Sequence, residues 1–378
     1  MRETAELTIE NMLNMLEDLV NINSGSYDKE GIDQVGRYLK EIYEDIGFNV
    51  AEYSNQNRGN NLVLRHQESK EPEILILAHM DTVFEKGTTK IRPFSIEGNY
   101  AFGPGVIDMK ASHVMLYFAI CELIKKEDNS YKNIEIIFNS DEEIGAETSK
   151  SLIENRAQAK KYALVLEPAR KNGSIVSSRR GVGDYTLEIN GKAAHAGIAP
   201  DKGVSAIEAL AYKIPKLHAL SNKEQNINVN VGVIEGGSST NTIASQAKAY
   251  IDVRISEINQ SNWIDEKIKT ICNEVELEGT YNSLIGGINR MPMVFTNEIQ
   301  DMIYLIQDEG KKMNLHINHV STGGGSDASL TASLGIPTVD GLGPVGGEQH
   351  SENEYLEINS LTERTWLFLR SLSRLSEN

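Results

Sequence analysis

The stretch ILILAHMDTVF, Ile74 to Phe84, runs from an unbroken apolar segment straight into His79, with Asp81 two places on. A short, continuous apolar run is the mark of a strand buried on both faces, as in parallel sheets covered by helices. Such a strand ending on an imidazole and a carboxylate directs attention to the other strand ends. NIEIIFNSDEE finishes on Asp141, Glu142 and Glu143, and KYALVLEP on Glu167. GIPTVDGLG leads through a loop to His350, and the GPGVIDMK loop supplies Asp108. In open α/β sheets, ligands gather beyond the carboxyl ends of the strands. His79, Asp108, Glu142, Glu143, Glu167 and His350 are therefore expected along one rim. Two imidazoles among several carboxylates suit zinc or a similar divalent ion. Each residue alone has a plainer reading, since a histidine after a strand is ordinarily structural and a DEE triplet is ordinarily a solvated turn. The convergence after separate apolar strands carries the inference.

The rest of the chain organises around that rim. Helices are expected over 8–20, 32–46 (stopped by Gly47), 111–125, from about 148, 298–313 and from 361 onward, with NNLVLRH as a further strand. The middle changes character. VGDYTLEING, NINVNVGVIEG and AKAYIDVRIS read as strands, GVSAIEALAYKIPKL and NWIDEKIKTICNEV as helices, and EGTYNSLIGG as a last strand. The order β-α-β-β-α-β is that of a ferredoxin-like unit. It is expected at 181–289, inserted into an α/β domain formed by 1–180 and 290–378, where the sheet pattern resumes.

The bulk numbers agree with two domains: 378 residues is long for a single core. A net charge of −17 argues against nucleic acid or an anionic membrane as partner. The first twenty residues mix acids into a helical pattern and lack the basic start and apolar core of a signal peptide. With no apolar run of membrane-spanning length, a cytoplasmic location is the expectation. Cys121 and Cys272 are the only cysteines, which excludes a disulfide framework or a cysteine-rich zinc site.

Seven segments in order, LAHMDTV, GPGVIDMKAS, FNSDEEIGA, LVLEP, GKAAHAGIAPDKGVSAI, STGGGSDAS and GEQHSENEY, carry a resemblance across nearly the whole chain. Together they resemble the co-catalytic zinc metallopeptidase family of glutamate carboxypeptidase, aminoacylase, acetylornithine deacetylase and succinyl-diaminopimelate desuccinylase, and most of all its glutamate carboxypeptidase branch. The resemblance implies that Asp108 bridges two zinc ions, for which cobalt or manganese can substitute. His79 and Glu167 would complete one site, and Glu143 and His350 the other. Glu142 would be the general base, and Asp81 would orient the His79 ring. A cis peptide is implied at Asp108–Met109. His195 and Asn241 would steady the oxyanion, and Arg254 would grip a substrate carboxylate. Arg290 is a second guanidinium suited to a carboxylate, and Gly323 to Gly325 would let backbone approach the substrate. Met109, Ala111 and Ala244 depart from what relatives usually carry, and none of them is a ligand.

The implied fold is a zinc-peptidase α/β domain with a mostly parallel sheet plus an inserted ferredoxin-like lid that pairs two chains into a homodimer, with His195 reaching into the partner's site. The implied activity is hydrolysis of an amide next to a free carboxylate in a small peptide. An N-acyl amino acid deacylase breaks the same bond class. Glu167, where the family's aminopeptidases typically have aspartate, weighs against a tripeptidase. Two readings of another class stand beside these. A metal-dependent binding protein without catalysis is opposed by the intact Glu142 and full ligand set. A nucleotide-binding α/β protein is opposed by the lack of a GxGxxG turn after the first strand or of a Lys-Ser/Thr after the glycine run.

Overall fold

The structure, a computed structural model, describes residues 4–377. The chain divides into two compact units. One comprises the chain up to Ser178, Phe295–Ser321 and Ser326 onward; the other is Arg179–Val294 with the short return Thr322–Gly325.

In the first unit a six-stranded sheet carries, side by side, Phe48–Tyr53, Asn61–His66, Ile134–Asn139, Ile74–His79, Tyr162–Val165 and Thr338–Val339. The last four pair parallel and the first two antiparallel, so the sheet is mixed with a parallel centre. The run Ile74–His79 is buried at every position, as its lack of alternation implies. Register places the site. His79 lies opposite Asn139, and Leu77 opposite Val165. On that register Glu167 falls level with His79, and the Asp141–Glu143 turn begins just beyond it.

The helix Ala111–Lys125 has every side chain from Ala111 to Leu123 buried. It is covered by Ile9–Val20 and Ile358–Ser376, and each large apolar side chain it buries contributes about 1.5–3 kcal/mol. Thr8 begins the first of these helices by accepting the Asn11 N–H at 3.2 Å, and Thr296 does the same for Ile299 at the start of Asn297–Lys312. Gly47, at φ 93°, takes the left-handed turn that ends Lys29–Asp45.

Two smaller sheets lie outside the six-stranded one. His319–Thr322 pairs with Ile175–Arg179. A small antiparallel sheet of Ser95–Glu97, Tyr100–Phe102, Gly346–Gly347 and Tyr355–Glu357 also forms. Its strands are two or three residues long, too short to show a period in sequence.

The second unit is a four-stranded antiparallel sheet in the order Asn228–Gly236, Gln246–Ile255, Gly181–Asn190, Tyr281–Arg290, with helices Ala206–His218 and Gln260–Asn273 between strands. That order and connectivity are those of a ferredoxin-like unit. Alternate side chains of Gly181–Asn190 are buried. Tyr185, Leu187 and Ile189 pack there with Ile251, Val253, Leu210, Ile264 and Ile268. Among the described residues no helix is long and apolar enough to cross a membrane.

Candidate active site

The strand ends of the first unit do converge. His79 is buried, and its Nε2 lies 3.1 Å from Asp108 Oδ1 and 3.7 Å from Glu167 Oε1. The other Asp108 oxygen, Oδ2, lies 3.4 Å from His350 Nε2, which is 3.1 Å from Glu143 Oε2. Asp108 thus presents one oxygen to each of two imidazoles. Ligand-type atoms of His79, Glu142 and Glu167 lie within 4.8 Å of one another, as do those of His79, Asp108 and Glu143. Distance alone therefore does not set Glu142 apart from the ligand set.

The ring of His79 is held by main chain. Its Nδ1 is 2.9 Å from the Asp81 carbonyl oxygen, while the Asp81 carboxylate is 3.4 Å away. A proton on Nδ1 donating to that carbonyl leaves the Nε2 lone pair facing Asp108 and Glu167, the tautomer a metal needs. The Asp81 carboxylate instead accepts the main-chain N–H groups of Glu142 (3.1 Å) and Glu143 (3.2 Å) and the Ser26 hydroxyl (2.7 Å). It ties the turn bearing both glutamates to the end of the His79 strand. Asp141, fully buried, closes that turn from the other side by accepting from the Thr148 N–H and the hydroxyls of Thr148 and Ser149.

Asp108 sits in a tight turn after Gly103 and Gly105, both at positive φ. A Cβ on Gly105 would lie 2.5 Å from Thr82 Cγ2, so both conformation and close approach require glycine. The Asp108–Met109 peptide is cis, as the resemblance implies. The turn's amides are gathered by Glu354, a fully buried carboxylate that accepts the N–H groups of Gly105, Ile107 and Asp108, each at 3.0 Å.

Electrostatics follow from this crowding. Burial, then the nearby Asp108 charge, hold Glu167 well above the usual carboxylate range. Burial also pushes Glu143 up to about 7 against the pull of His350. His350 rises to about 11 beside the Asp108 and Glu143 carboxylates. Burial opposes a charge on His79, yet the carboxylates of Asp108, Asp81 and Glu167 hold its pKa well above the ordinary value. Buried acids stacked against imidazoles in this way make a cluster that favours added positive charge.

The sequence model of peptidase family M20/M25/M40 matches residues 75–374. The chain belongs to this family. It is 28% identical to carboxypeptidase G2 of Pseudomonas sp. strain RS-16 over 96% of this chain and 89% of that protein. It is 24% identical to a succinyl-diaminopimelate desuccinylase of Rickettsia bellii, covering 92% of each. Among solved structures it is similar to the aminopeptidase PepT of Bacillus cereus, with a TM-score of 0.80, 25% identity, and coverage of 97% and 99%. The chain is accordingly an M20-family hydrolase of the metallopeptidase type.

The remaining candidates of this M20 peptidase lie in the second unit. His195 is exposed, and its Nδ1 accepts the N–H groups of Gly197 (3.1 Å) and Ile198 (3.2 Å). In the neutral ring this fixes the proton on Nε2, which becomes a donor. The main chain brings Asn241 alongside, since Ala196 N–H donates to the Asn241 carbonyl at 2.9 Å and His195 bridges to Thr242. The Asn241 side-chain oxygen accepts from Ser239 Oγ at 2.6 Å.

Arg254 is engaged through both arms of its fork. It donates to Asp252 from Nε at 3.1 Å and Nη2 at 2.7 Å, and reaches the Gly323 carbonyl at 3.4 Å. Arg290 is buried, and a Cβ on Gly325 would lie 3.2 Å from its Cδ, so the glycine there admits this arginine closely. Arg179, absent from the sequence-based candidates, anchors the glycine run by donating to the carbonyls of Gly324 (2.9 Å) and Gly325 (3.2 Å). Glu354 and Ser26 were missed as well. Glu354 lay within the segment GEQHSENEY, where a second acid four places after His350 was the available signal.

Proposed function

We propose that this chain hydrolyses an amide adjacent to a free carboxylate, as a carboxypeptidase of the carboxypeptidase G2 kind, using two divalent ions of which zinc is the expected one. The observation that carries the reading is Asp108, with one oxygen toward His79 and the other toward His350. That is the arrangement of a bridging carboxylate. The donor chemistry fits as well: two imidazoles with carboxylates suit zinc, with cobalt or manganese as substitutes. Four acids, Asp108, Glu142, Glu143 and Glu167, give the cluster a negative charge that two divalent cations would offset.

Asp108 would bridge, His79 and Glu167 would complete one ligand set, and Glu143 and His350 the other. Such ions, when bound, supply Lewis acidity to the scissile carbonyl and acidify water. Glu142 takes a proton from the attacking water and hands it to the amide nitrogen as the C–N bond breaks, giving a carboxylate and an amine. His195, with its proton on Nε2, and Asn241 donate to the oxyanion. Arg254 and Arg290 read the substrate carboxylate, Arg254 by exchanging Asp252 for it. We place the enzyme in the cytoplasm as a homodimer paired through residues 181–289, with His195 acting in the neighbouring subunit.

The test is metal analysis together with a hydrolysis screen of dipeptides and N-acyl amino acids in added zinc, cobalt or manganese. Two ions per chain and turnover of substrates with a free carboxylate are expected. A protein that retains a single ion, or cleaves only substrates lacking the carboxylate, overturns the reading. The same screen separates a carboxypeptidase from an N-acyl amino acid deacylase.

A further inference from the structure

Beside the candidate ligand Glu143 the first unit holds an open cavity of about 660 Å³, within the range of small-molecule sites. Its floor is main chain. Ser26 N–H donates to the Thr82 carbonyl at 3.0 Å, and Thr82 N–H to the Ser24 carbonyl at 2.8 Å. A Cβ on Gly25 would stand 2.2 Å from the Phe84 carbonyl oxygen, so the two segments meet only through glycine. Because Ser26 also holds Asp81, and Asp81 the Glu142–Glu143 turn, floor and catalytic rim form one hydrogen-bonded piece.

The walls are apolar. Tyr27, Val83, Phe84 and Ile144 line the cavity, and Tyr27 and Val83 are exposed, at 74% and 41%. Apolar walls with a few polar groups are the usual lining of a small-molecule pocket. Each ring has a cation over one face: the Arg58 guanidinium lies 4.6 Å from the Tyr27 ring centre, and that of Arg92 4.9 Å from Phe84. Both cations have further partners, Arg58 in Glu147 and Arg92 in the Glu352 carbonyl.

The charges of the cavity are acidic. Asp28 and Glu85 line it, and Lys86 is its only lining cation among the described residues. The Lys86 ammonium is matched by Asp28 at 3.2 Å and Glu30 at 3.3 Å. A substrate with a free carboxylate has two ends across its amide, and this cavity repels the charged one.

The geometry points to this cavity as the subsite for the acyl half of the substrate, taking an uncharged, aromatic or bulky apolar acyl group and rejecting a second carboxylate such as that of a succinyl group. The inference rests on the hydrolase reading above and sharpens it. It sets this chain apart in substrate from its desuccinylase relative.

The experiment compares N-acetyl, N-benzoyl and N-succinyl derivatives of the amino acid that turns over fastest in the screen. Benzoyl should exceed acetyl in kcat/KM by about 10–100-fold, the scale of filling an apolar pocket. Succinyl should fall below acetyl by about tenfold or more through like-charge repulsion. Val83→Trp and Ile144→Trp, checked for unchanged metal content, should each lower the benzoyl-to-acetyl ratio by about tenfold through filling the space. Glu85→Lys should raise the succinyl-to-acetyl ratio. A benzoyl derivative no better than acetyl, a succinyl derivative equal to benzoyl, or a ratio unmoved by both tryptophans overturns the assignment while leaving the hydrolase intact. No turnover of any dipeptide or N-acyl amino acid overturns the hydrolase reading itself.

Discussion

The two units build their candidate residues by different means. In the first, the side chains stand at the ends of buried strands, and a parallel ladder sets their spacing: His79 opposite Asn139, with Glu167 level on the other side. In the second, His195 and Asn241 sit on exposed loops joined by a main-chain bond, and Arg254 is already paired with Asp252. A ladder fixes ligands before any ion or substrate arrives. A loop or a paired arginine must exchange partners to act. Substitutions at the rim should therefore cause losses near the full activity, and those in the inserted unit graded ones.

The largest effect is expected at Asp108, whose oxygens face both imidazoles. Asp108→Ala should lose both ions, measured by metal analysis, and all detectable turnover. Full metal content with ordinary activity would break the comparison at its strongest point. Next comes the glutamate pair on the turn held by Asp81. Glu142→Gln should keep its metal and lose about 10²–10⁴ in kcat, the scale of a general base. Glu143→Gln should lose metal instead, and the reverse pattern would exchange the two roles.

His195→Ala should cost about 10²–10³ in kcat, as for one oxyanion donor, with metal content unchanged. If His195 serves the neighbouring subunit, unfolding and mixing His195→Ala with Glu142→Ala should restore part of the activity, because one site of each hybrid has both residues. Hybrids that form and stay inactive would place His195 in its own chain. Glu354→Gln should weaken metal affinity by about 10–100-fold, the usual scale for an outer partner of a ligand. An affinity equal to the parent's would mean that the Asp108 turn holds without it. The smallest effect is expected at Arg254. Arg254→Ala should lower kcat/KM for free carboxylates more than for their carboxamides. Equal losses on both would leave it a structural partner of Asp252.

Much of the rim was legible because a strand buried on both faces must be a continuous apolar run, and the first polar residue after such a run marks its end. His79 and Glu167 were readable as candidates on that ground, and Glu142 and Glu143 only as members of the polar turn after Phe138, their separate roles coming from the family resemblance. What joins them was not. Asp81 works through main-chain amides of Glu142 and Glu143, and Glu354 through those of Gly105, Ile107 and Asp108. Side chains that serve distant backbone leave no periodic trace. The Arg254–Asp252 pair is a different case, because residues two apart on one strand share a face. The segment IDVR held that pairing in plain view. The return of Thr322–Gly325 to the second unit and the two- and three-residue strands of the small sheet had no sequence signal of their own.

The helix Ala111–Lys125, buried along almost its whole length, has a consequence for how the chain is made. It leaves the ribosome well before Ile358–Ser376, the helix that completes its cover. Throughout that interval a nascent chain carries an uncovered apolar surface next to the Asp108 turn, the condition under which large domains aggregate or engage chaperones. Loss of the last helix should accordingly appear as insoluble protein during expression rather than as a change in turnover, although that helix supplies no residue to the chemistry.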